Sequence, residues 1–259
     1  MLNYLRAEFY KVLRRKYGWI TLAVVLGLEA LLVFGFASMN AHGGYEDFYT
    51  GAVVMFMTLP LGFYATLLTG DMVFAGQYKH STLKNEVSFG LSRARIYLGK
   101  LIVQVIMSIL FCAAILGFYL GLCWLFLYHD PGTDAMILEQ LGYCLATVFP
   151  LWVGVQALTC ACMFLIKSEL GSAFLVVGIV AVLPNVIWLT AALISGPAGH
   201  PLGDALMSVY SHMPTVIADN AANMAGDWAC CGKAWIVGAV WLIGFTAIGL
   251  WGFRKKEIK

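Results

Sequence analysis

A carboxylate stands at the centre of an apolar run, Glu29 in WITLAVVLGLEALLVFGFAS (19–38). An acid inside a bilayer is costly unless it is protonated, paired or hydrated. Two chemistries fit it. It is either a substrate, cation or proton contact facing a cavity, or a neutral carboxyl bonded to a neighbouring helix. Gln104, Gln156 and Asn185 are amide versions of the same case, and for them bonding between helices is the favoured reading. Asp71 closes another apolar run and is placed to pair with basic residues of the loop that follows.

Other reactive types are present without the spacing that chemistry needs. Of the seven cysteines, Cys112, Cys123, Cys144, Cys160 and Cys162 lie in apolar runs, where Cys acts as a small hydrophobe. The single C-x-C has no His or acid beside it, so it makes a poor metal site. Cys230 and Cys231 read as two free thiols. The five histidines match no zinc pattern. The sequence contains no G-x-x-x-x-G-K-[ST] phosphate loop, no G-x-S-x-G and no H-E-x-x-H. No enzyme activity, metal or cofactor is therefore expected of this chain, and no ATP hydrolysis by the chain alone.

The elements that hold these residues are membrane spans. Hydrophobic types make up 61% of the 259 residues and charged types 12%, against roughly 25% charged in soluble domains. Six runs are long enough to cross a bilayer as helices: Trp19–Ser38, Phe48–Leu68, Leu101–Tyr128, Leu141–Ile166, Ser172–Ile194 and Ala234–Phe253. The expected fold is an all-α integral membrane protein, one transmembrane domain over 1–259. The first run is too long for a signal peptide and reads as a retained span. Of the sixteen basic residues, all but Lys233 lie before the first run, between runs two and three, between four and five, or after the sixth. That asymmetry predicts both termini in the cytoplasm.

Residues 1–17 read as an amphipathic basic helix on the inner membrane surface, with Arg14 and Arg15 as surface or partner contacts. The loop 71–100 contains HSTLKNEVSFGLSRARIYLGK (80–100). A short helix is expected there, stopped at Gly90, with Ser92 capping the next. Arg93 and Arg95 then sit in a first turn, where the helix dipole disfavours cations. Headgroups, the positive-inside constraint or an acidic partner must hold them. The long loop 196–232 is punctuated by Pro197, Pro201 and Pro214 and is expected to form short interfacial or re-entrant helices. Pro60, Pro150 and Pro184 fall inside spans and are expected to kink them.

The inner loop resembles that of type-2 ABC exporter permeases. The resemblance rests on Thr82, Leu83, Lys84, Asn85, Gly90, Ser92, Arg93, Ile96, Tyr97, Leu98, Gly99 and Lys100, and on Ala7, Glu8, Phe9 and Lys11 of the opening helix. Gln77 and Ser81 depart from that family, which often has Glu and Gly there. The resemblance implies that the chain is half of a translocation path, paired with an identical or homologous permease. It implies a separate cytosolic ATPase in two copies, carrying ATP and Mg, seated on Gln77, Lys79, Leu83, Lys84, Asn85, Glu86 and Val87. Glu29, Pro60, Pro184 and Asn185 are the expected path-lining residues. By analogy the substrate is an antimicrobial peptide or a drug, exported across a bacterial plasma membrane. A stand-alone secondary transporter or channel subunit using Glu29 is the alternative, and a membrane scaffold a third. Lipid is an expected partner and nucleic acid is not.

Overall fold

Apolar runs of this length, closed by caps, give helices, and helices are the regular elements throughout. The computed structural model describes residues 2–75, 77, 82–195, 200–224 and 226–256. Helix α1 (Leu2–Leu13) is followed by a break at Arg14 and Arg15. The expected single helix over 1–17 thus ends early, and α2 (Lys16–Ala41) begins the first span. The second span is α3 (Phe48–Thr58), a 3-10 turn at Leu59–Leu61, and α4 (Gly62–Phe74). Pro60 makes that interruption, as its missing donor requires. Helix α5 (Thr82–Ser88) precedes the third span, α6 (Arg93–Phe126), and the fourth is α7 (Pro131–Leu165). The fifth is α8 (Glu169–Val177), a π turn at Gly178–Val182, and α9 (Leu183–Ser195). Two short helices, α10 (Pro201–Tyr210) and α11 (Pro214–Ala221), lead to the sixth span, α12 (Trp228–Lys255). All six spans are long and apolar enough to cross a membrane.

Most spans start on a side-chain cap that takes an otherwise orphaned backbone donor. Asp47 accepts from Thr50 N, Ser92 from Arg95 N, Asp130 from Gly132 N, Ser168 from Gly171 N and Asp227 from Ala229 N. Gly90 stands at φ 81°, the left-handed conformation that ends α5 where the sequence places its stop.

Helix α7 is the central post. It packs on α3, α4, α6, α8, α11 and α12, and 83% of its most apolar window is buried within the protein, against 6% for α2. Lipid is as apolar as leucine, so spans associate through close packing and hydrogen bonds rather than through water exclusion. The closest packing joins α7 to α12. A Cβ on Gly154 would stand 3.0 Å from Gly238 O, and one on Gly238 would overlap the Pro150 carbonyl. Helix α7 continues through Pro150 without interruption.

A neutral polar ladder links spans two, three and four. Ser108 Oγ donates to Thr69 Oγ1 (2.6 Å), Gln156 Nε2 to Ser108 Oγ (2.5 Å) and Gln104 Nε2 to Gln156 Oε1 (2.6 Å). Gln104 and Gln156 thus bond helix to helix, as expected. Asn185 does not. It is exposed, and its amide donates to Ala181 O of its own helix at 2.7 Å. Pro184 cannot use the carbonyl of Val180, four residues back. Thr215 of α11 donates its hydroxyl to that oxygen at 3.2 Å.

Helix α1 packs on α6 near its start, and Arg93 of α6 bonds the end of α12. Helix α1 and the end of α12 therefore lie at one end of the bundle, called here the basic end. At the far end the loops between spans one and two and between three and four are joined, with Phe48 N donating to Tyr128 O at 2.9 Å. His129 contacts Asp134 Oδ2 at 2.9 Å and Trp124 O at 2.7 Å.

Candidate functional site

The basic end gathers its charges into a knot. Lys100 is wholly buried. Its Nζ lies 3.0 Å from Glu8 Oε2 and 3.4 Å from Glu86 Oε1. Glu8 is also buried and takes a second ammonium, Lys11 Nζ, at 2.6 Å. Tyr4 donates its hydroxyl to Glu86 Oε2 at 3.1 Å. The Phe74 ring centroid lies 5.9 Å from Lys100 Nζ, where a ring face attracts a cation. Two carboxylates thus offset two ammoniums. The partners come from α1, α5 and α6, which are distant in sequence.

The electrostatics follow from that arrangement. Burial alone would push the Glu8 carboxyl up. The ammoniums of Lys100 and Lys11 outweigh it and hold the group below the ordinary carboxylate value. Burial, with Glu8 and Glu86 nearby, pushes the Tyr4 phenol well up, so it remains a donor. Charge-assisted bonds of this kind are short and strong, and breaking one leaves an unpaired buried charge.

The knot sorts the residues of α5. Leu83 is buried in the core beneath the helix, with Val87 packed against the same cluster. Glu86 turns inward to Lys100 and Tyr4. Lys84, Asn85 and Ser88 face outward, and Phe89 at the helix end is 86% exposed. Phe89 was not singled out by sequence reasoning. Its signal was an aromatic in a loop with no apolar companion at helical spacing. Gln77 is buried, with neither amide atom partnered among the described residues. Lys79 lies outside the described residues.

Three basic residues cap helix ends across the bundle. Arg15 donates to Ala75 O (2.8 Å), just past the end of span two. Lys256 donates to Phe164 O (2.8 Å) and Leu165 O (3.1 Å), at the end of span four. Arg93 donates to Phe253 O (2.7 Å), Arg254 O (2.6 Å) and Lys256 O (2.9 Å), at the end of span six. The even-numbered spans all finish at this end, and cations there meet the negative pole of each helix dipole. Arg93 is therefore unfavourable for its own helix but favourable for another. Arg14 and Arg95 remain exposed, Arg14 over the Tyr10 ring at 4.4 Å.

The expected path residues do not converge within one chain. Glu29 is half-buried against span three, within electrostatic reach of Tyr119 and Cys123, and its Oε2 has no hydrogen-bond partner among the described residues. Pro60 lies in span two, and Pro184 and Asn185 in span five. A cavity of about 340 Å³ lies elsewhere, between α11 and the start of α12. No cluster of metal-ligating residues occurs among the described residues.

Six apolar helices packed around a central post define a multi-pass helical membrane protein. Residues 4–185 match the family model described as ABC-2 family transporter protein. The match spans well over half of the chain, so the chain belongs to that family. It is thus the permease component of an ABC transporter, a membrane subunit of a kind that works with an ATPase subunit. The matched stretch runs from α1 to the start of α9 and includes the knot. No curated protein matches the chain.

Proposed function

We propose that this chain is the membrane-spanning half of an ATP-driven exporter in a bacterial plasma membrane, with its basic end in the cytoplasm. The outward face of α5, backed by the buried Lys100 knot, is the observation that carries this reading. A cytosolic ATPase, one for each of two permeases, docks on Lys84, Asn85 and Phe89. Leu83, Glu86 and Val87 anchor the helix from beneath. MgATP is held by the ATPase. A push on α5 passes through Glu86 and Lys100 into α1 and the first turns of α6, since a buried ionic contact resists sliding. The spans then tilt as packed bodies. Glu29, Pro60, Pro184 and Asn185 remain the candidates for the path between two permeases, and a peptide antibiotic or drug the candidate substrate.

The test is purification of the tagged chain from its own membranes, followed by a Phe89→Asp, Lys84→Glu variant. A nucleotide-binding subunit should accompany the native chain, and the variant should lose at least ten-fold of it while melting unchanged. If no ATPase accompanies the native chain, or the variant keeps its full share, the docking assignment is wrong.

A further inference from the structure

The cavity at the far end has a chemistry of its own. Lys233, in the second turn of α12, lines it, half-buried, and is the only lysine or arginine at that end of the bundle among the described residues. Its Nζ contacts the Ser211 hydroxyl at 3.4 Å, and it forms no ion pair among the described residues. An ammonium held this way attracts an anion, because the site is partly shielded from water and ions. Asp227 also lines the cavity, and one of its oxygens accepts from Ala229 N. Cation and anion therefore face the same space without pairing to each other. The apolar part of the wall is Val216, Ile217 and Met224.

Position narrows the ligand. Trp228 and Trp235, on either side of Lys233, are 71% and 52% exposed. Tryptophans of that kind sit at the boundary between headgroups and acyl chains. The walls are fixed to span four, since Gln140 Nε2 donates to Ala222 O at 2.8 Å and Tyr143 OH to Asp227 O at 2.8 Å. A volume of about 340 Å³ is near the lower limit of small-molecule sites, roughly 300–1,000 Å³. It suits a headgroup and glycerol, with the acyl chains left in the bilayer.

We propose that this cavity binds one zwitterionic phospholipid, with the phosphate on Lys233 and the headgroup amine towards Asp227. The lipid would fasten the α11 helix to the start of span six. The proposal is independent of the ATPase and of the direction in which the chain is inserted.

Native mass spectrometry of the full chain tests it, after delipidation and titration with phosphatidylethanolamine, phosphatidylglycerol or inorganic phosphate. The native chain should retain one phosphatidylethanolamine in preference to phosphatidylglycerol. Lys233→Gln should weaken that retention about ten-fold. Met224→Trp, which fills the cavity and leaves the charges alone, should do the same. Asp227→Asn, which keeps the helix cap, should erase the preference between the two lipids. Unchanged retention in either Lys233→Gln or Met224→Trp overturns the proposal, as does retention of inorganic phosphate with no lipid.

Discussion

The knot around Lys100 and the ladder through Gln156 both bury polar side chains where three elements meet, yet one is ionic and the other wholly neutral. The knot joins α1, α5 and the start of α6 at the basic end. The ladder lies further along spans two, three and four. Taking an ion out of water costs several kcal/mol, and that cost is greatest where only lipid and apolar side chains surround it. Amides and hydroxyls cost less to bury and still bond helix to helix. Charge is therefore used at the helix ends of the basic end, and amide further along the spans. The ionic cluster should break abruptly and respond to pH, whereas the neutral one should weaken gradually and ignore pH.

Lys100→Met should have the largest effect. It leaves Glu8 and Glu86 short of their shared cation, and removing one partner of a buried pair costs about 3–5 kcal/mol. Thermal unfolding in detergent measures it, and the double variant with Glu8→Gln should recover part of the loss. The same comparison gives a pH test. The Glu8 carboxyl is lowered in the folded state, so its contribution is present above its unfolded value near 4.5 and lost as pH falls through the lower folded value. Glu8→Gln should abolish that acid limb. A limb that persists would separate the pH response from the knot.

Gln156→Leu comes next. Gln104 Nε2 and Ser108 Oγ lose a partner, and polar bonds between membrane helices are worth about 0.6–2 kcal/mol. The loss should be the same at pH 5 and pH 8, and a pH-dependent loss would blur the contrast with the knot. Arg93→Gln should cost least, about 0.3–1 kcal/mol for a cation at a helix C-terminus. Amide exchange should rise in the last turn of α12 and nowhere else.

Periodicity and composition were enough for the spans, α5 and its Gly90 stop, and the Ser92 cap, because each is settled by neighbours in sequence. The knot was hidden by distance. Glu8 and Lys100 are 92 positions apart, and nothing local in the sequence pairs them. Arg93 shows the same limit. The dipole of its own helix was visible, but the end of α12 that holds it was not. Glu86 and Leu83 looked like docking residues because a seven-residue helix is too short for sequence to say which face is inward. Asn185 was grouped with Gln104 and Gln156 by residue type, but it stands on an exposed helix face and bonds its own backbone.

The contact between Gly154 and Gly238 has a consequence for how the protein is made. A polytopic chain enters the membrane from its N-terminus. When span four leaves the insertion machinery, spans two and three are already present to take Gln156 through Ser108 and Gln104. Its other flank, the side with Gly154 and the Pro150 carbonyl, must wait for α12. Until then the intermediate shows lipid a glycine notch shaped for one helix. Biogenesis thus closes with the last span seated against the central one, and a larger residue at position 238 should stall assembly at a five-span stage that quality-control proteases can recognise.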